Sequence, residues 1–188
     1  MYRAKTKGKM KMKKLVMFCL CVAMAAALHA ATANWSVTKV YQPGSETVAS
    51  GYIGYLFEVS SSITIENVTA AINDGTFATT YASSALANGA TTSAGSLIKT
   101  GLGSYDASSG TVSWFTVIFD AGSVSEANNY IVTDEVSQTF TSATGAKAAS
   151  FTNIGTTYTW NSMAVPEPTS GLLMLVGLAG LALRRRRS

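Results

Sequence analysis

Cysteine and histidine are missing where catalytic or metal chemistry would use them. The 188-residue chain holds Cys19, Cys21 and His29, all before residue 34. The rest therefore has no disulfide framework, no Cys-His zinc cluster and no Ser-His or Cys-His pair. Positive charge is missing from the middle as well. Seven of the fourteen Lys and Arg residues lie within the first fourteen positions, and four more are Arg184, Arg185, Arg186 and Arg187. Only Lys39, Lys99 and Lys147 remain between them, all within residues 34–163, where nine carboxylates give a net of −6. The overall charge of +4 reports the two ends. An acidic middle repels phosphates, so nucleic acid is excluded as a partner. Proline is nearly absent from the middle, with only Pro43.

What is present at the amino end is a targeting pattern. Lys11, Lys13 and Lys14 precede a charge-free apolar run over residues 15–28, and Ala30, Ala31, Thr32 and Ala33 follow. Basic, apolar and small-residue parts in that order form a secretory signal peptide, with the lysines held on the cytoplasmic side. Ala31-Thr32-Ala33 matches the A-x-A cleavage pattern, which predicts a cut before Asn34, with a cut after Ala30 as the second choice. Residues 1–33 are thus expected to be leader, with Met12 as the functional start. Cys19 and Cys21 lie inside the apolar run, each after a large residue (Phe18 and Leu20), unlike a lipoprotein cysteine.

The carboxyl end has three parts. Pro166-Glu167-Pro168 is extended, because proline fixes its own backbone and restricts the residue before it. Residues 171–183 are wholly apolar, and the four arginines close the run as a cytoplasmic stop. Thirteen residues make a helix of roughly 20 Å, against a hydrocarbon core of about 30 Å. Such a segment suits a transient membrane tether better than a lasting anchor.

This layout resembles the PEP-CTERM sorting domain, over residues 164–188 alone. The resemblance implies processing near Pro166, Glu167 and Pro168 by an exosortase, an integral-membrane enzyme, after signal peptidase has removed the leader. It also implies a Gram-negative bacterium making exopolysaccharide, and an inner-membrane-tethered precursor with its body on the outer side, bound for the cell surface or extracellular matrix. It says nothing about the body, since such tails are attached to many unrelated bodies.

Residues 34–163 read as one all-β domain, an antiparallel sandwich or jelly roll flanked by a signal helix and a C-terminal apolar helix. Forty of these 130 residues are Ser or Thr. Period-two alternation marks strands at 35–40, 52–59, 63–72 (with a bulge near Asn67), 111–119, 130–136 and 151–160. The run 111–119 is apolar on both faces and predicts a central strand. Residues 83–102 predict a long loop with one short strand, and residues 160–165 a linker to the tail.

No residue of the body is marked as catalytic. A hydrolase would need two carboxylates about 5 to 10 Å apart, and none of the nine is singled out. Asn73-Asp74-Gly75 and the segment from Asp106 to Gly110 echo calcium loops but lack the D-x-D-x-D spacing, and turn chemistry accounts for both. No metal or cofactor is expected. The sequence supports, in order, a non-enzymatic surface or matrix protein, a carbohydrate-binding module for exopolysaccharide, and a carboxylate-dependent hydrolase. The second rests on sixteen aromatics in the body, among them Trp35, Tyr41, Tyr52, Tyr105, Trp114 and Trp160.

Overall fold

The computed structural model describes residues 30–141 and 145–163. The predicted signal helix and the C-terminal apolar helix lie outside the described residues. The body is mostly β, in two sheets. One has three strands in the order β4-β1-β8: β4 is Leu97–Tyr105, β1 Ala31–Thr38 and β8 Lys147–Thr152. The other runs β3-β2-β5-β6-β9, with β3 at Ala87–Ala90, β2 at Ile53–Glu58, β5 at Thr111–Phe119, β6 at Asn129–Val132 and β9 at Asn161–Ser162. A further strand, β7 (Val136–Thr139), also pairs with β5. Among the described strands every pairing is antiparallel except β1 with β8, so the smaller sheet is mixed.

β5 is the centre of the larger sheet. It pairs with β2 along one side, and with β7 and then β6 along the other. Its alternation divides two cores. Val112, Trp114 and Ile118 face the smaller sheet, where Trp35, Val37, Leu97, Ala149 and Phe151 meet them. Phe115, Val117 and Phe119 face the opposite way. A strand apolar on both faces must be covered on both faces, and here a sheet covers one and helices the other. Gly54 on β2 leaves room for the Trp35 indole, which would lie 3.4 Å from a Cβ at that position.

The helical cover corrects the strand predicted at 63–72. Residues Ile65–Asn73 form a helix, α1, followed by a short helix α2 at Phe77–Thr80. Thr64 is extended, and its hydroxyl accepts from the Asn67 amide, capping the first turn. Glu66 sits in that turn, where a negative charge suits the helix dipole. Val68, Ala71 and Ile72 fall on one face and bury against Phe57, Phe77 and Phe115. The helix stops at Gly75 (φ +70), whose amide donates to the Ile72 carbonyl while the Thr76 amide donates to Ala71. That glycine-terminated pairing is a Schellman stop.

Three other boundaries differ from the sequence reading. Residues 83–102 carry β3 and much of β4. The predicted strand at 130–136 is split: Tyr130 and Val132 face the helices, but Val136 packs into the inter-sheet core. The flip occurs at Thr133, whose hydroxyl accepts from the Thr116 amide in place of a backbone carbonyl. The last long strand is Lys147–Thr152, and residues beyond it turn back through Asn153 and Gly155 at positive φ.

Candidate functional site

Three of the processing residues fall within the described body. Ala31 and Ala33 lie in β1, with relative exposures of 5% and 0%. Ala33 sits opposite Leu102 of β4 and Lys147 of β8. Asn34 is half-buried on the outer face, and its Oδ1 accepts from the Gly101 amide at 3.2 Å. The sorting residues Pro166, Glu167 and Pro168 and the stop residues Arg184, Arg185, Arg186 and Arg187 lie outside the described residues. The body ends just short of them. β9 pairs with β6, the Met163 amide donates to the Asn128 carbonyl at 2.8 Å, and Met163 packs against the helical core. Pro166 follows three residues later, a reach of about 10 Å at most.

The carboxylates of the body hold local structure. Asp120 accepts from the amides of Asn128 and Asn129 and from the Asn129 side chain, at 2.8, 2.9 and 2.7 Å, fixing the connection from β5 to β6. Asp106 caps the turn before β5. It accepts from the Ser108 hydroxyl and from the Ser108 and Ser109 amides, and the Ser108 bonds hold its carboxyl below the usual range. Asp74 is the C-cap residue of α1 through its backbone amide, which donates to the Ala70 carbonyl. Glu126 accepts from the Ser123 hydroxyl. Asp134 and Glu135 are exposed in the break between β6 and β7, off the strand predicted for them. Among the described residues no three His, Cys, Asp or Glu side chains gather as a metal site.

Glu58 is the carboxylate most involved with the core. It accepts from the Tyr105 hydroxyl at 2.6 Å, joining β2 of one sheet to β4 of the other. The Tyr105 ring stacks on Phe140 at 4.5 Å and meets Trp114 edge-on at 5.8 Å. Burial, reinforced by the bond to Glu58, pushes the Tyr105 hydroxyl up to about 12. A phenol held that high keeps its proton and serves as a hydrogen-bond donor to Glu58.

The aromatics named from the sequence separate into two groups. Trp35, Trp114 and Tyr105 are buried in the inter-sheet core. Tyr41, Tyr52 and Trp160 are half-exposed, and Trp160 touches both of the others. Trp160 donates its indole N–H to the Tyr41 carbonyl at 3.2 Å and meets the Tyr52 ring edge-on at 5.8 Å. Tyr158, not singled out in the sequence, packs beside them on the same core. Its place two residues before Trp160 is the signal that would have found it, since that spacing brings both onto one face of an extended segment.

No curated protein and no solved structure matches the chain. Residues 164–187 match the PEP-CTERM protein-sorting motif. The match includes Pro166, Glu167, Pro168 and the four arginines. The chain thus carries a PEP-CTERM sorting tail, the mark of an exported protein made as a membrane-anchored precursor and processed by an exosortase-like enzyme.

Proposed function

We propose that the body is a non-enzymatic surface or extracellular-matrix protein, delivered outward by removal of its leader and then of its tail. The sorting motif at residues 164–187 carries this reading. The uses of the carboxylates support it: Glu58, Asp106, Asp120 and Glu126 are each engaged in bonds that fix turns or join sheets. The hydroxyls of Ser36 and Ser150 on the smaller sheet, 2.8 Å apart and exposed, support it too, although the exposed Ile98 is paired with Ser36 there. In this reading the tail is a transient membrane tether, and signal peptidase and an exosortase-like enzyme are the processing partners. Replacing Pro166, Glu167 and Pro168 together by alanine tests it. The protein is expected to keep its tail and stay with the inner membrane; normal release of a shortened protein would contradict the reading.

A second reading is favoured by one observation. Tyr52 and Trp160 present half-exposed rings in edge-on contact, with half-exposed Tyr158 packed on the same core, and aromatic faces of this kind stack on sugars. A carbohydrate-binding body would retain exopolysaccharide from the producing cell in a co-sedimentation assay, and Trp160→Ala would lose that retention. Equal retention by the variant would remove this reading.

A further inference from the structure

We infer that the leader is cut after Ala30, so that the exported protein begins at Ala31 rather than Asn34. This rests on the export reading and assigns its first processing site. The small residues at positions 31 and 33 have two explanations. They fit a signal peptidase, and they also fit a sheet interior. The structure supports the second. From Ala31 to Thr38 buried and half-buried residues alternate without a break, so residues 31–33 continue the period of the strand they open. Ala31 pairs with Tyr105, and Ala33 pairs on both sides, with Leu102 and Lys147. The methyl groups of both alanines belong to the same core as Trp35 and Val37. Ala30, by contrast, is exposed and precedes the strand.

A cut before Asn34 would remove three residues from the central strand of the smaller sheet. It would also put a charged amino group at a position flanked by β4 and β8, opposite Ala148. Charge within a sheet ladder is costly to desolvate. A cut before Ala31 leaves that charge at the open end of the strand. The peptidase acts on the chain before the body folds, so the fold does not select the bond. It shows which residues the exported body uses. The sequence Leu28-His29-Ala30 still offers a small residue at the cut and an uncharged one two positions earlier.

The test is the amino-terminal residue of the exported protein, read by intact mass and terminal sequencing, for the natural chain and two variants. The natural chain is expected to begin at Ala31. Ala30→Gln is expected to accumulate uncut precursor as the main species. Ala33→Gln is expected to lose its leader as the natural chain does and to begin at Ala31, whether or not the body then folds. An amino terminus at Asn34, or precursor accumulation with Ala33→Gln but not with Ala30→Gln, overturns the inference and leaves export standing. A natural chain that retains its leader overturns both.

Discussion

Thr116 stands in β5 among apolar neighbours, at a place where valine has the same shape. Its hydroxyl accepts from the Trp35 indole N–H at 3.0 Å, across the gap between the sheets. Both residues are fully buried. Thr116→Val would leave that N–H without a partner, a loss of about 1–3 kcal/mol of stability. Chemical denaturation should show the midpoint fall with an unchanged slope. Glu58 and Tyr105 make another polar link between the sheets, and it is sensitive to alkali. The Tyr105 hydroxyl titrates near 10 when unfolded and at about 12 in the fold. The folded state therefore holds this proton more tightly, and the stability it confers is complete below pH 10 and lost as pH rises toward 12. Tyr52, Tyr55 and Tyr158 are raised in the same direction, chiefly by burial. Tyr105→Phe should thus reduce the alkaline fall in melting temperature without abolishing it. An unchanged pH profile would show that Tyr105 does not contribute.

Elements show where the sequence was legible. β5 was readable because both of its faces are apolar over nine residues, and only a central, doubly covered strand satisfies that pattern. β2 was readable because Ile53, Tyr55, Phe57 and Val59 all face the helical core. α1 is hidden in the sequence because it is only nine residues long. Over so short a window, Ile63, Ile65, Val68 and Ile72 fit a bulged strand about as well as a helix. What settles it is Thr64 capping the start and Gly75 stopping the end. Thr64→Ala should accordingly cost about 0.5–2 kcal/mol, measured by thermal denaturation, and a neutral result would mean the cap is not needed. The break between β6 and β7 was hidden for a different reason. Strict alternation continues through Asp134 in the sequence, and only the long-range bond between Thr133 and Thr116 turns the chain over. Of the aromatics, no local pattern distinguished buried Trp35 from half-exposed Trp160, since partners far along the chain decide which is covered.

At the scale of the whole molecule, the ends were the most legible part, because targeting segments are read as linear chain and need no fold to make sense. Cleavage is the exception. The A-x-A pattern at residues 31–33 competes with the role of the same residues in β1, and local sequence cannot weigh that role. The other end has its own constraint. With Met163 docked beside β6 and Pro166 within about 10 Å, any enzyme acting at the sorting motif works close against the folded body. Deleting Arg184, Arg185, Arg186 and Arg187 should weaken retention of the precursor, seen as leakage from the membrane fraction before processing; unchanged fractionation would show the arginines to be dispensable. The most direct measurement is the intact mass of the protein recovered from the cell surface. Export with processing at both ends predicts a body lacking its leader and most or all of residues 164–188, with any attached glycan seen as added mass. A surface protein whose mass still includes the apolar run and the four arginines would contradict it.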